Sequence, residues 1–525
     1  MDGPAAPAIT RRSMLGALAG GAALAAMPSV SRGPLFVPSG AGPTLATNPF
    51  TLGVASGDPL SDGIVLWTRL VVDPAAPAGG MPAEPVRVQW ELAADERFRK
   101  KVSKGVVRAQ PDDAHAVHVD VRGLDPAHDW FFRFRVGDHE SPIGRTRTAP
   151  ADGATAKQLV FAVASCQQYH RGYFTAHRHL AEEDLDAVLF VGDYMYESGF
   201  QSGGVRELEG PEPTDLDAYR ARYATYKSDP NLQAAHAACP WVVTWDDHEV
   251  DNNYADSVSQ DAGVLEADFL TRRAAAYRVW WEHQPVRLDR PTGPDFQIHR
   301  TVEFGRLAQV HVLDTRQYRT PQCEDVASDL GPRCEAAFGA DATLLGDEQE
   351  RWLERSLRKS DARWNVLAQQ VLMAQSNFVP TTPEGIFALD SWDGYVEARK
   401  RLLGTTVNGV ENLVTVTGDI HAAWVNDLKA DYSDPASPVV GTELVGTSIT
   451  SLFPVGNDLV YTAMADQPHL KYFEGQRRGY LRCTFEKSEL RADHRFVSTT
   501  QAPDATIETG ASFVVEAGRP GAEPA

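Results

Sequence analysis

Four separated stretches of this chain carry side chains able to bind metal ions. They are Ser165-Cys166-Gln167, Gly192-Asp193-Tyr194-Met195-Tyr196-Glu197, Asp246-Asp247-His248-Glu249 with Asp251-Asn252-Asn253 just after it, and Gly418-Asp419-Ile420-His421. Taken singly, each has an ordinary explanation. Gly-Asp is a turn with a helix cap, a lone buried Cys is a small hydrophobe, and Asp-x-His is common on surfaces. Turns do not need Cys, Tyr and His, however, and four such stretches together read as one donor set. Cations held there would acidify water and polarise an oxyanion, which is hydrolytic chemistry.

Each stretch follows a short apolar run: Leu159–Ala164, Ala187–Val191, Trp241–Trp245 and Asn412–Thr417. These runs read as buried strands, as do Leu307–Leu313 and Trp364–Gln369, while Phe174–Glu183, Leu265–Trp281 and Asp347–Leu357 have helical spacing. Buried strands alternating with amphipathic helices predict an α/β domain over residues 157–500. Its four reactive stretches would then share the C-terminal edge of a sheet, where open α/β folds bind ligands. A polar hinge, Ala149 to Lys157, precedes it. Ahead of the hinge, residues 48–150 read as short strands (Ile64–Arg69, Val86–Leu92, Ala116–Val121 and Trp130–Val136) separated by turn residues. Gly123-Leu124-Asp125-Pro126 followed by Trp130-Phe131-Phe132-Arg133 resembles the turn and aromatic strand of fibronectin type III domains. A small β-sandwich is expected there, spacing or covering the α/β domain.

The chain has 525 residues, 43% hydrophobic and 23% charged, which is ordinary for a globular protein of two domains or more. Its net charge of -21 argues against a nucleic-acid partner, but not against a phosphate substrate, because bound cations reverse the local field. Residues 1–31 read as a twin-arginine signal peptide: Thr10-Arg11-Arg12-Ser13-Met14-Leu15 precedes the Gly/Ala-rich run Gly16–Met27, which is too short to span a bilayer. Residues 32–47 read as a linker and 501–525 as a Gly/Pro-rich tail. No later stretch is apolar enough to span a membrane. The expected destination is periplasmic, extracellular or the cell wall, reached through the twin-arginine export machinery. Of five cysteines, Cys323 and Cys334 share a loop and are candidates for a disulfide.

Five spaced blocks carry a family resemblance: Ser165-Cys166-Gln167, Gly192–Glu197, Trp245–Asn253, Leu313-Asp314-Thr315-Arg316-Gln317-Tyr318-Arg319, and Gly446-Thr447-Ser448-Ile449-Thr450-Ser451. They resemble the alkaline phosphatase D (PhoD) family of calcineurin-like metallophosphoesterases, from about Phe50 to Phe496. The Tyr three residues after Asp193 is similar to the purple acid phosphatase pattern, in which a tyrosinate binds ferric iron. The resemblance implies a metallophosphatase sheet sandwich flanked by helices, preceded by a fibronectin- or Ig-like β domain. It also implies iron beside calcium. On that reading Asp193 bridges the metals, Cys166, Tyr196 and His421 complete an Fe3+ side, and Asp247 and Asp419 form an oxygen-rich Ca2+ side with Asn252 or Asn253, of which Asn253 is carried forward. Two departures from the wider superfamily remove imidazoles: Cys166 stands in the first block, and the run Trp364–Ala368 is followed by Gln369-Gln370, with Gln where a His is usual.

The implied activity is hydrolysis of small phosphomonoesters and phosphodiesters by a metal-activated hydroxide. His248 is expected to stabilise or protonate the leaving group. Arg316 is expected either to clamp a phosphate oxygen or to be a surface salt-bridge Arg. Alternatives are a phospholipase D-like diesterase acting on lipid headgroups, which a hydrophobic rim would favour, and a non-catalytic exported metal- or polymer-binding protein. An iron redox enzyme fits less well, because hard oxygen donors on the second side suit hydrolysis.

Overall fold

The computed structural model describes residues 43, 45–200, 202–323, 330–406 and 409–525. The expected signal peptide, residues 1–31, lies outside the described residues. At the centre are seven strands: β1 (Gln158–Ala164), β2 (Ala187–Val191), β3 (Trp241–Thr244), β4 (Ala308–Val312), β5 (Trp364–Ala368), β6 (Leu413–Thr417) and β7 (Val439–Val445). They belong to two sheets. One runs β1-β2-β3 in parallel register, with Ala187 opposite Phe161 and Val188 opposite Trp241. The other runs β4-β5-β6-β7, also parallel.

Alternation along these strands explains the stacking. Phe161 and Val163 of β1 and Leu189 and Val191 of β2 point inward to meet Val310, Val312, Val366, Val414 and Val416 of the second sheet. The intervening residues, Val160, Ala162, Val188 and Phe190, pack outward against helices. Strands buried on both faces read as continuous apolar runs, which is why these were legible. Among the described residues no helix is long and apolar enough to cross a membrane.

The N-terminal region is all-β, as expected, but it is not a separate body. Strands Val54–Leu60, Gly63–Arg69 and Ala116–Arg122 extend the first sheet beyond β3, with Gly57 paired in parallel with Trp241. The approach is so close that a Cβ on Gly57 would lie 2.2 Å from the Pro285 carbonyl oxygen. The remaining N-terminal strands form a five-stranded sheet that closes a second core over Ile64, Leu66, Val88 and Phe132. Asp58 secures the junction. It accepts from Arg300 Nη2 at 2.7 Å and from the Arg287 backbone N–H at 2.7 Å, while Arg300 Nη2 also reaches the Val243 carbonyl at 3.1 Å. Asp58→Ala would leave a mostly buried guanidinium without its counter-ion. Urea unfolding should show a loss of about 2–3 kcal/mol, and an unchanged midpoint would refute this role.

The far end of the same sheet corrects a second expectation. Residues 501–525, read as a tail, contain strands Ile507–Glu516 and Glu523–Pro524, the first paired along its length with Glu489–Val497. The segment is a sheet edge, not a free end. Its half-exposed strand alternates too weakly to be read from composition. Cys323 and Cys334 form the expected disulfide.

Candidate metal centre

The parallel strands deliver their reactive stretches to one edge. The Cys166 N–H donates to the Gly192 carbonyl at 3.2 Å and the Gln167 N–H to the Asp193 carbonyl at 3.1 Å, locking the first two turns together. The chain reverses sharply after each strand: Cys166, Asp193, Asn253, Asp419 and His421 all have φ between 52° and 58°. A non-glycine residue in this left-handed region costs roughly 1 kcal/mol or more, and such residues cluster at functional sites. Gly192 is required as well. With φ at 106°, a Cβ there would stand 2.4 Å from Cβ of Asp246.

Three overlapping donor groups result. The ligand atoms of Cys166, Asp193 and His421 lie within 4.8 Å of one another, as do those of Asp193, Asp247 and His248, and those of Asp246, Asp247 and Asp419. The Tyr196 hydroxyl binds the first group together: it is 2.8 Å from Asp193 Oδ2, 3.0 Å from His421 Nε2 and 2.7 Å from Ser451 Oγ. Residues Ile449 and Ser451 donate backbone N–H groups to the carbonyls of Ser165 and Cys166, so the Gly446–Ser451 block wraps the Cys166 turn.

The donors fit cations better than they fit one another. Asp193 Oδ1 and Asp246 Oδ2 are buried without a hydrogen-bond partner. Among the described residues, the cationic groups paired with the seven carboxylates Asp193, Asp246, Asp247, Asp390, Asp419, Glu197 and Glu249 are the guanidiniums of Arg316 and Arg319 and the rings of His248 and His421. Burial pushes the Cys166 thiol well above its ordinary pKa, and the Asp193 carboxylate adds to the shift. The same two causes raise Tyr196. A thiolate and a phenolate at these positions therefore need positive charge beside them. On the other side, Asp247 is held below the carboxylate range: burial raises it, but Arg316, His248 and the Asn253 N–H outweigh burial.

A cavity of about 370 Å³ opens over these groups. Six of the nine residues singled out in the sequence line it: Asp193, Asp247, His248, Asn253, Asp419 and His421. Cys166 and Tyr196 sit against that lining, one beside Asp193 and His421 and the other hydrogen-bonded to both. Of the two asparagines, Asn252 turns its side chain to Gln260, while the Asn253 N–H donates to Asp247 Oδ2 at 2.7 Å. The opposite wall is apolar, formed by Phe378, Ile420, Phe453, Pro454 and Val455. Trp245 and Tyr194 are core residues, Trp245 stacked on Tyr277 at 4.0 Å.

Arg316 departs from the phosphate-clamp expectation. Its side chain is fully buried behind the carboxylates and is not part of the cavity wall. Its Nε donates to Asp246, Nη1 to Asp390 at 2.5 Å and Nη2 to Asp419 at 3.2 Å. Its Nε, Nη1 and Nη2 are each taken by a carboxylate, so the guanidinium orders the donors.

Sequence reading passed over two glutamates inside its own motifs. Glu197 Oε2 lies 2.7 Å from His248 Nδ1, and Oε1 accepts from the Asn252 N–H at 2.9 Å. Burial lowers the affinity of His248 for a proton, but Glu197, Asp247 and Asp193 reverse this and raise its pKa well above the ordinary value. Glu249 accepts from the backbone N–H groups of Asp193, Tyr194 and Asp246 at 3.1, 2.6 and 2.8 Å, fastening two donor turns to each other. Gln370 donates to the carbonyls of Trp245 and Leu313 and to Thr244 Oγ1, forming a strand-end latch.

Comparison with known proteins shows the family. Residues 161–494 match the model of the PhoD-like phosphatase family, and residues 38–150 match that of the PhoD-like phosphatase N-terminal domain. The chain is 47% identical over 488 residues to alkaline phosphatase D of Bacillus subtilis (strain 168), covering 91% of this chain and 82% of that protein. The solved structure of PhoD superimposes with a TM-score of 0.87 at 46% identity, over 92% of this chain and 93% of that one. Purple acid phosphatase PPD1 from yellow lupin (Lupinus luteus) shares the fold alone, with a TM-score of 0.55 at 11% identity, over 88% and 73% of the two chains.

Proposed function

The chain belongs to the PhoD-like phosphatase family and is a phosphoric-ester hydrolase, and from that premise we propose that it cleaves small phosphomonoesters and phosphodiesters at a two-cation pocket. Fe3+ would be held by Cys166, Tyr196, His421 and Asp193, and Ca2+ by Asp193, Asp247, Asp419 and Asn253. The observation that carries this reading is the meeting of a thiol, a phenol, an imidazole and an unpartnered carboxylate oxygen at one buried point. When bound, the cations supply Lewis acidity to the phosphoryl oxygens and make water acidic enough to serve as the nucleophile.

The protein's own groups do the rest. Glu197 holds His248 through Nδ1 and favours its protonated form. His248 lines the cavity and gives a proton to the departing oxygen, leaving as neutral imidazole until solvent restores it. Arg316 and Glu249 position carboxylates and backbone without touching substrate.

The test is metal analysis of purified protein joined to turnover of a panel of mono- and diesters. Iron and calcium together with a visible charge-transfer band are expected, and a colourless, iron-free but fully active protein would refute the assignment. His248→Gln should retain both metals and lower turnover by about 10²–10⁴-fold, most for esters with poor leaving groups. Loss of metal in that variant would make His248 a ligand instead.

The apolar wall of Phe378, Ile420, Phe453 and Val455 favours a second reading, a phospholipase D-like diesterase. Turnover of a lipid headgroup ester far above an aryl monoester would establish it. The Arg11-Arg12 leader supports export through the twin-arginine machinery to the periplasm, the medium or the cell wall, and the Cys323–Cys334 disulfide suits such an oxidising destination.

A further inference from the structure

Ser451, the last residue of the block Gly446–Ser451, is fully buried beside the metal donors. Its Oγ lies 2.7 Å from the Tyr196 hydroxyl oxygen and 2.9 Å from the Cys166 carbonyl oxygen. It touches two of the residues assigned to the Fe3+ side. A hydroxyl has one proton to give, so one of these two oxygens receives it at a time. The Gln168 N–H approaches Oγ at 3.4 Å and occupies the accepting side of the same hydroxyl.

The plain explanation is structural: the proton goes to the Cys166 carbonyl and ties the block to that turn. That carbonyl is already supplied, however. The backbone N–H groups of Thr450 and Ser451 reach it at 3.3 and 3.2 Å, one for each lone pair. The Tyr196 oxygen is placed differently. As a phenol it gives its own proton to Asp193 Oδ2 at 2.8 Å, with His421 Nε2 at 3.0 Å. As a phenolate it needs a donor, and a carboxylate has none to offer. Neutral His421 has none there either, because its Nδ1 proton serves the Leu452 carbonyl at 3.2 Å, leaving Nε2 as the bare nitrogen. Among these neighbours Ser451 is the donor that remains. A hydrogen bond to an ion is roughly twice as strong as one between neutral groups, so the hydroxyl turns to the phenolate.

We propose that Ser451 is a positioning residue for the hydrolysis, donating to the Tyr196 phenolate and so limiting the charge which that ligand passes to iron. The inference rests on the two-cation reading above. Iron-loaded wild type, Ser451→Ala, Ser451→Cys and Ser448→Ala are compared by visible absorption, resonance Raman and competition with an iron chelator. Ser448 Oγ donates to the Ser451 carbonyl at 2.5 Å, so its variant loosens the same turn and leaves the Ser451 hydroxyl in place. Ser451→Ala should move the tyrosinate charge-transfer band to longer wavelength, since a phenolate without its donor holds its electrons less tightly. Ring vibrations enhanced on excitation in the band identify it as tyrosinate and not thiolate. Iron should pass to the chelator about 10–100-fold more readily. Ser451→Cys, whose S–H is a weak donor, should fall between Ser451→Ala and wild type. Ser448→Ala should melt at a lower temperature with its band unmoved.

A Ser451→Ala band at the wild-type wavelength would overturn the proposal and leave the two-cation reading standing. So would an equal displacement in Ser448→Ala, which would make the shift a matter of turn geometry. If Ser451→Ala holds no iron, Ser451→Cys decides: a band at longer wavelength supports the donor role, and one at the wild-type position overturns it. Wild type without a tyrosinate band would remove the two-cation reading, and this inference with it.

Discussion

Cys166→Ala is expected to remove iron and to lower turnover on the order of a thousandfold or more, while the metal-free protein unfolds within about 1 kcal/mol of its parent. The two effects separate because the thiol does little for the fold. Its one hydrogen bond goes to Ser165 Oγ at 3.1 Å, and a buried Cys otherwise acts as a small hydrophobe whose truncation costs about 1 kcal/mol. Alanine also accepts the left-handed backbone no worse than cysteine does. The chemical loss is large because each factor of ten in rate is about 1.4 kcal/mol, and a cation that polarises phosphoryl oxygen is worth several such factors. Metal content, visible absorbance and a urea curve on one preparation check all three parts. Iron retained at one per chain would break the ligand assignment, and a collapse in stability would make the cysteine structural.

Arg316→Met is expected to do the reverse, destabilising the protein by about 3–5 kcal/mol before any chemistry is measured. The guanidinium touches Asp246, Asp390 and Asp419 and lies 3.6 Å from Asp247. Removing one partner of a buried ion pair strands the others at about that cost, a large share of the 5–15 kcal/mol by which domains are usually stable. Burial favours the neutral forms of Asp246 and Asp419 and Arg316 opposes it, so its loss would weaken both carboxylates as donors. Arg316→Lys should not rescue, because one ammonium cannot span carboxylates arrayed around a planar fork. A loss below 1 kcal/mol with normal metal content would show that the carboxylates are compensated elsewhere.

The difference between these two residues shows what could be read from the chain. Cys166 was legible because it follows an apolar strand in a position shared with Asp193, Asp247 and Asp419, and local pattern suffices for that. Arg316 was singled out, but its direction was not legible: a guanidinium suits a phosphate and a buried carboxylate equally, and only the packing of Asp246 and Asp390 decides. Glu197 and Glu249 stood inside quoted motifs without a role, since the partners that define them, His248 Nδ1 and the Asp193 N–H, come from other strands or other turns. Six of the seven central strands were found within a residue or two, because double burial leaves continuous apolar runs; Val439–Val445, whose apolar run is broken by Gly441, Thr442 and Glu443, was not. The pairing of Gly57 with Trp241 could not be found, because nothing in either local sequence records the other. The strand Ile507–Glu516 was missed for a related reason: with one face in solvent, its composition is that of a loop.

That Gly57–Trp241 pairing also bears on how the protein is made. Val54–Leu60 leaves the ribosome well before its sheet neighbour and its Arg287 and Arg300 partners are translated. Contacts so distant in sequence slow folding, and domains ordinarily mature in the order of synthesis. Here the leading segment cannot finish ahead of the trailing one, so nascent chains cut short before residue 300 should stay protease-sensitive throughout, with no resistant N-terminal fragment.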